Sequence, residues 1–168
     1  MEVRALRADE GLAYRDVRLR SLRLAPAAFG STYAEESVRD EQFWRELMDR
    51  TANAMEAELF AVDRGDGTLA GTTFVRVSPD PPHDGHVGAM WVDEDLRGGG
   101  WAEDLLTAAE RFARRLGASG VTLWVEESNA RARRLYERCG YLPTGVTEPS
   151  VHGGTTLLLR KDLDAFGR

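Results

Sequence analysis

Three consecutive glycines, Gly98–Gly100, follow a predicted strand that ends at Val92 and lead into a helix predicted to begin near Gly100. Glycine has no Cβ atom, so the backbone can turn tightly there with several N–H groups pointing at one spot. The positive end of the following helix adds to that spot, and Arg97 adds a full charge beside it. The stretch therefore predicts an anion site, suited to a phosphate or pyrophosphate, at a strand-to-helix turn.

Two well-known nucleotide loops do not fit this turn. The ATP-binding loop of P-loop enzymes needs Lys and then Ser or Thr after its last glycine, and Trp101 and Ala102 stand there instead. The dinucleotide fingerprint Gly-x-Gly-x-x-Gly needs a third glycine where Glu103 lies. Both readings are excluded by the residues that follow Gly100.

The turn resembles the acyl-coenzyme A loop of the GNAT N-acetyltransferases, Arg/Gln-x-x-Gly-x-Gly/Ala, through Arg97, Gly100 and Ala102. A second family block, Leu-x-Val-x-x-x-Asn-x-x-Ala-x-x-Leu-Tyr-x-x-x-Gly-Phe, follows at the usual separation. Its matching residues are Leu123, Val125, Asn129, Ala132, Leu135, Tyr136, Gly140 and, in place of Phe, Tyr141. Two blocks in order are a specific signal, and together they span 87–145.

Two positions depart from the family pattern. Glu94 stands where a proline is common, which we expect to be harmless. Gly99 stands where a basic residue often contacts a phosphate, so one contact to coenzyme A is expected to be missing. The resemblance implies a mixed α/β GNAT fold: a mostly antiparallel, twisted sheet of about seven strands, splayed at the acyl-coenzyme A site and flanked by about four helices.

The order of predicted elements agrees with that fold. A strand over 2–6 precedes a helix from an Asp9 cap to about Leu24, whose arginines we interpret as a solvated face. Pro26 ends this helix, an aromatic and acidic loop covers 27–36, and a second helix covers about 40–50. The later predicted elements are strands at 59–62, 69–77, 86–92, 121–125, 141–145 and 155–159, and helices at 102–116 and 129–139.

Length and composition bound the class of protein. The 168 residues fit one domain, 1–168, and nothing indicates a linker or a repeat. No apolar run long enough for a signal peptide or a membrane helix occurs near Met1, so we expect a cytoplasmic protein with no membrane partner. Cys139 is the single cysteine, which excludes an intramolecular disulfide. The net charge of −6 argues against a nucleic-acid partner and mildly favours a cationic substrate.

The resemblance implies transfer of an acetyl group from acetyl-coenzyme A, as co-substrate, to an amine acceptor. Backbone donors at Trp91 and Val92 would hold the pantetheine arm and polarise the thioester carbonyl. The amides of Arg97, Gly98, Gly99, Gly100, Trp101 and Ala102 would cradle the pyrophosphate. Asn129 would bond the pantetheine, and Tyr136 would donate a proton to the departing thiolate.

Each of these roles has a structural alternative. Tyr136 lies on the apolar stripe of its helix, where a tyrosine is usually a core residue, and Asn129 is also a natural helix cap. The general base is open: Glu126 or Glu127 stands at a strand end, whereas Glu35 or Glu36 would act through water.

The acceptor site is predicted from the loop after the first helix, which in this family forms one wall of that pocket. Its candidates are Phe29, Tyr33, Glu35 and Glu36, with packing and solvation as the competing interpretation. His83 and His86 lack further ligands nearby, so no metal site is expected. A non-catalytic acyl-coenzyme A binding module remains the alternative to an enzyme, and a homodimer is possible.

Overall fold

The computed structural model describes residues 1–163, which form one seven-stranded sheet in the order β1-β2-β3-β4-β5-β7-β6. Every pair of neighbouring strands is antiparallel except β4 and β5. The predicted mixed α/β fold with about seven mostly antiparallel strands is therefore confirmed. The strands are β1 Glu2–Ala5, β2 Ala57–Asp63, β3 Leu69–Val77, β4 Gly85–Val92, β5 Gly120–Glu126, β6 Leu142–Pro149 and β7 Thr155–Asp162.

Five α-helices accompany the sheet in this part of the chain, one more than expected. They are α1 Gly11–Leu24, α2 Tyr33–Ser37, α3 Glu41–Asn53, α4 Trp101–Arg115 and α5 Ala130–Arg138. The extra helix, α2, lies in the segment predicted as a loop. Thr32 and Glu35 form a capping box there, each side chain bonding the other residue's backbone N–H, and this satisfies two amides of a very short helix.

The helices cover both faces of the sheet. Alternate residues of β2 belong to different apolar clusters, with Leu59 and Ala61 on one face and Phe60 and Val62 on the other, as the pleat requires. The first face packs against α1 and α3, and the second packs against α4 and α5. The core is thus two layers separated by the sheet.

The sheet opens between β4 and β5. Their parallel pairing covers three residue pairs, from Gly85↔Val121 to Val87↔Leu123, and then ceases although both strands continue. On its other edge β4 has an irregular register against β3 after Gly88, and Ala89 there has a φ of 52°, the left-handed region that a residue with a Cβ rarely adopts. The bulge and the lost pairing produce the splay that the resemblance implied.

The start of α1 differs from the prediction. Glu10, not Asp9, occupies the N-cap position, and its side chain makes no capping bond. Its carboxylate instead accepts hydrogen bonds from Arg4 at 2.6 and 2.8 Å and from the Arg7 backbone N–H at 2.8 Å. Ion pairing with a strand residue has therefore replaced local capping.

The arginines of α1 are not a uniform solvated face, as the sequence had indicated. The side chain of Arg18 is only 11% exposed and pairs with Glu36 at 2.8 Å. Arg20 pairs with Asp93 at 2.9 Å, and Asp93 also accepts from the indole nitrogen of Trp91 and from Arg64. These pairs attach α1 to α2 and to the end of β4, beside the glycine turn.

Candidate active site

The splay contains a cleft of about 460 Å³. Its walls are the diverging ends of β4 and β5, the glycine turn with the start of α4, and one side of α5. Every residue predicted to bind acetyl-coenzyme A, apart from Gly99, lines this cleft. Tyr136, Glu126 and Phe29 line it as well.

The glycine turn presents a group of free backbone donors. Gly98 and Gly100 have φ angles of 82° and 86°, which glycine adopts without strain, whereas Gly99 donates its N–H to the Leu96 carbonyl at 3.2 Å and keeps the turn tight. Within residues 1–163 no hydrogen-bond acceptor meets the amides of Gly98 or of 100–103. The last four are the orphan donors of the N-terminus of α4. Such an arrangement suits a pyrophosphate.

The side chain of Arg97 folds back on the end of β4. Its Nε donates to the Val92 carbonyl at 3.2 Å, its Nη1 donates to Glu94 at 3.0 Å, and its guanidinium lies 4.9 Å from the centre of the Trp91 ring. Arg97 therefore braces the turn and adds positive charge beside the free amides.

The register of β4 separates the two predicted strand-end donors. The Asp93 N–H bonds the Ala70 carbonyl at 2.7 Å, which makes 93 and 70 a hydrogen-bonded pair of the antiparallel ladder. Hydrogen-bonded and non-hydrogen-bonded pairs alternate, so Trp91 is bonded to Thr72, whereas Val92 turns its N–H and C=O away from β3. Of the two amides, that of Val92 is the one directed toward the open side of β4.

Asn129 is the N-cap of α5. Its side-chain oxygen accepts from the Ala132 N–H at 3.1 Å, as the capping interpretation predicted. The amide NH₂ of the same side chain has no acceptor among the described residues, and Asn129 lines the cleft. One side chain can thus cap the helix with its oxygen and bind a ligand with its nitrogen.

Tyr136 is 7% exposed and packs edge-on against Tyr141, with ring centres 6.1 Å apart. Its hydroxyl has no protein partner in the part of the chain that the structure describes. Burial raises the pKa of Tyr136 to about 12, so the phenol is protonated at neutral pH and stays so at higher pH than an ordinary tyrosine does. The residue is both part of the core and a protonated donor beside the cleft.

Glu126 lies at the end of β5, where the cleft is open. One of its carboxylate oxygens accepts from the Ser150 hydroxyl at 2.7 Å, and the residue is half-buried. Its neighbour Glu127 is exposed and does not line the cleft. The structure thus brings one of the two strand-end glutamates to the cleft.

Three arginines on α5 also line the cleft, although they were not predicted from the sequence to belong to the site. Arg131, Arg134 and Arg138 recur at helical spacing, which places them on one side of α5. Arg138 reaches Glu103 at 3.3 Å, whereas the guanidinium groups of Arg131 and Arg134 have no partner within 1–163. The repeated spacing in the segment ARARRLYER was the signal available in the sequence.

The four residues predicted for the acceptor site are not brought together. Phe29 is buried and lines the cleft, and its carbonyl accepts a 2.6 Å hydrogen bond from His152 of the β6–β7 loop. Tyr33 is 42% exposed and lines neither described cavity. Glu35 and Glu36 line a second cavity, where Glu35 caps α2 and Glu36 pairs with Arg18.

A splayed α/β sheet with free amides at its open end is typical of proteins that bind an acyl-coenzyme A. Residues 20–141 match the family model described as "Acetyltransferase (GNAT) family", so the chain belongs to the GNAT family. Members of this family are acetyltransferases, and the chain is accordingly assigned as an acetyl-coenzyme A-dependent acyltransferase, with acetyl-coenzyme A as co-substrate.

Relatives in sequence and in structure agree with this membership. The chain is 26% identical over 127 residues to an uncharacterized N-acetyltransferase, YycN, of Bacillus subtilis, covering 68% of this chain and 81% of that protein. It is 38% identical over 84 residues to the mycothiol acetyltransferase of Beutenbergia cavernae, covering 50% of this chain but only 28% of that protein.

Among solved structures, the fold is similar to yncA, a putative acetyltransferase of Salmonella typhimurium determined with acetyl-coenzyme A. That likeness has a TM-score of 0.78 at 17% identity and covers 100% of this chain and 96% of the other. A ribosomal-protein-S5-alanine acetyltransferase of Vibrio fischeri gives a TM-score of 0.80 at 14% identity, over 99% and 94% of the two chains.

Two kinds of feature are absent from residues 1–163. None of the helices within 1–163 is both long and apolar enough to cross a membrane. The same residues contain no group of three or more His, Cys, Asp or Glu side chains placed to hold a metal ion.

Proposed function

We propose that acetyl transfer to a primary amine takes place in the cleft between β4 and β5, with Tyr136 as the general acid and Glu126 as the general base. One observation carries this proposal: the residues that contribute the amides at the start of α4, the Val92 amide, the Asn129 side chain and the Tyr136 hydroxyl all line a single cleft. Each of these groups is a donor with no acceptor at the cleft among the described residues, which is what an oxygen-rich ligand needs.

Acetyl-coenzyme A would be held along the whole cleft. The free amides of Gly98 and 100–103 suit its pyrophosphate, and Arg131 and Arg134 add two unpaired charges for its phosphates. These two arginines would compensate for the glycine at 99, where the family often has a basic residue. The Asn129 amide and the Val92 N–H would bond the pantetheine arm and the thioester carbonyl.

The proposed chemistry divides among three groups of the protein. When bound, acetyl-coenzyme A supplies a thioester that an amine can attack and a thiolate that departs. The Val92 N–H would stabilise negative charge on the carbonyl oxygen, and the Tyr136 hydroxyl would give its proton to the departing sulfur. Glu126, fixed by Ser150, would accept a proton from the ammonium form of the acceptor.

Other expectations from the sequence are carried forward as part of this proposal. They are a single acetyltransferase domain, a cytoplasmic location, no nucleic-acid or membrane partner and a possible homodimer. The dimer has one surface in its favour: all of β6 is exposed at the edge of the sheet, with Leu142 and Val146 among its side chains.

A panel of primary amines tests the enzymatic part of the proposal. We expect at least one amine to stimulate release of free coenzyme A thiol and to gain one acetyl group by mass spectrometry. Calorimetry with acetyl-coenzyme A alone is the companion measurement. Tight binding without amine-dependent thiol release for any member of the panel would favour the non-catalytic binding module.

A further inference from the structure

A second cavity of about 480 Å³ lies on the other face of the sheet, where α1, α2 and α3 cover the middle of β2, β3 and β4. Ala89, the left-handed residue of the β4 bulge, lines both this cavity and the cleft in the splay. The two spaces therefore adjoin at the bulge. A molecule held in the second cavity would lie next to the point where acetyl transfer is proposed.

Two buried nitrogen donors beside this cavity have no hydrogen-bond partner in the described structure. They are Nη1 of Arg18 and the indole Nε1 of Trp44, a residue that is 1% exposed. Both side chains line the cavity. Buried N–H groups nearly always have a partner, because leaving them unpaired costs free energy. An acceptor atom from outside the chain would satisfy these two groups once a neighbouring side chain shifts to admit it.

Other lining groups add donors to the same space. Tyr14 is buried, and its hydroxyl bonds no described residue. Arg39 lies over the Phe43 ring, 4.9 Å from its centre, and makes no ion pair with any of the described residues. The side chains that line the cavity thus carry four donor groups of three kinds: two guanidinium groups, an indole and a phenol.

Both carboxylates at this cavity already accept hydrogen bonds from the protein. Glu36 accepts from Nε and Nη2 of Arg18 at 3.0 and 2.8 Å, and Glu35 accepts from the backbone and hydroxyl of Thr32 at 2.9 Å. Donors therefore exceed free acceptors. The charge of Arg18 is balanced by Glu36 and that of Arg39 by the nearby Glu35, so the surplus at this cavity is one of hydrogen-bond donors and not of positive charge.

We propose that this cavity binds a carboxylate of the acceptor, so that the acceptor is an amine bearing an acid group, as in an amino acid with an apolar side chain. The inference rests on the proposed function, since it names the substrate class of the same reaction. The carboxylate would meet the unpaired donors, and apolar atoms would pack against the aromatic lining, which includes Phe43 and Phe74. The amine would point toward Ala89.

Binding measured in the presence of coenzyme A tests this without requiring turnover. The probes are L-leucine, L-phenylalanine and L-tryptophan, each paired with the amine that lacks its carboxylate: 3-methylbutylamine, 2-phenylethylamine and tryptamine. We expect at least one acid to bind about tenfold more tightly than its amine, the effect of a charge-assisted hydrogen bond. Water at the unpaired donors would instead give equal binding, and equal binding in all three pairs overturns the inference.

Variants then locate the acid group. Arg39→Gln should weaken the acid about tenfold and leave the matched amine unchanged. Arg50→Gln is the control, because it removes the same charge from an exposed position of α3 that does not line the cavity. Trp44→Phe, which keeps a ring and deletes the N–H, should also act on the acid selectively, with retained folding checked by thermal melting.

The outcomes for this inference and for the proposed function are separable. An acid that binds selectively in the coenzyme A complex but is not acetylated contradicts the roles proposed for Tyr136 and Glu126, and leaves the carboxylate site intact. Acetylation of simple amines, with Arg39→Gln and Arg50→Gln indistinguishable on every acid, supports the proposed function and overturns the carboxylate site.

Discussion

The two cavities that adjoin at Ala89 differ in how the chain builds them. The turn and helix start that bind the pyrophosphate in our proposal come from one continuous stretch, 97–103, whose geometry follows from its own glycines. The second cavity is assembled from α1, α2, α3 and three strands, and its charges depend on partners such as Arg18 and Glu36, 18 residues apart. A site formed by consecutive residues can be recognised in the sequence, whereas a site formed by several separate elements exists only after the chain has folded.

The largest effect is expected where the local site is changed. Gly100→Asp places a negative charge among the free amides and should weaken acetyl-coenzyme A binding on the order of a thousandfold, because like charges repel at a desolvated contact. No atom lies within 4 Å of a Cβ at this position, and Asp tolerates the left-handed conformation, so the fold should be retained. Calorimetry measures the affinity.

Gly100→Asn is the matched control for that change, since it has the same shape and the same backbone requirement without the charge. We expect it to bind acetyl-coenzyme A much more tightly than the Asp variant. Similar affinities for the two variants, or an Asp variant that binds as the wild type does, would show that this turn is not the pyrophosphate site.

Tyr136→Phe is expected to lower kcat about a hundredfold and to leave acetyl-coenzyme A affinity nearly unchanged, because the hydroxyl acts only as the thiolate leaves. The packed ring remains. The raised pKa of about 12 has a second consequence: the phenol stays protonated, and therefore active as an acid, below that value. Steady-state kinetics with a saturating acceptor would measure kcat across pH.

If Tyr136 had the ordinary pKa of about 10, the phenol would ionise and the enzyme would lose activity as the pH rises through 10. Loss of kcat with that midpoint in the wild type, absent from the Phe variant, would contradict the raised value. Wild-type turnover in the Phe variant would make Tyr136 a core residue alone.

A smaller effect is expected from the arginines of α5. Arg134→Gln should raise the dissociation constant of coenzyme A about fivefold at low salt, and by less at high salt, since an exposed charge pair is weak and screened. Arg111→Gln removes a charge from an exposed position of α4 outside the cleft and should change nothing. Equal effects of the two substitutions would mean that only the overall charge of the protein matters.

The smallest effect is expected at the acidic residues of α2. Changing Glu35 and Glu36 together to Gln should raise the KM of amines that lack an acid group about threefold, because charge near the path of the ammonium is lost. The dissociation constant of acetyl-coenzyme A should stay the same, since the two ligands enter from different faces of the sheet. Steady-state and binding measurements on the same preparation check both.

Two comparisons refine this last prediction. Glu35→Gln alone should be nearly silent, because Gln keeps the capping box with Thr32. The pair Glu41→Gln and Glu46→Gln, exposed on α3, removes the same charge away from the cavity. If the α2 and α3 pairs behave alike, the α2 carboxylates do not form part of the acceptor wall.

Much of the fold was predictable because its signals are local and periodic. Alternating apolar residues predicted the strands, helical spacing predicted the helix after the glycines, and capping predicted the role of Asn129. The extra helix α2 also has a sequence signal, the capping box Thr32-x-x-Glu35. The failures share a physical cause. Glu10 forms an ion pair with Arg4 and does not cap the helix. Arg18 and Arg20, which were predicted to face solvent, pair with carboxylates that are distant in sequence.

The candidate site also has features that could be predicted from the sequence and features that could not. The donors of the glycine turn were predicted, whereas the choice of Val92 over Trp91 required the register of β4 against β3. The unpaired donors of Arg18 and Trp44 could not be predicted at all, because an unpaired group is defined by everything that folding brings near it.

Because β4 and β5 pair over only three residues, the sheet resembles two plates joined by a hinge. Strands β1 to β4 form one plate, and β5, β7 and β6 form the other. Beside the joined end, Asp84, just before β4, accepts hydrogen bonds from Arg160 of β7 and from Ser119, just before β5. A rotation about this hinge would widen or narrow the cleft without breaking a hydrogen bond within either plate. A ligand that spans the open end would act as a crosslink, so that occupancy of the cleft stiffens the whole sheet.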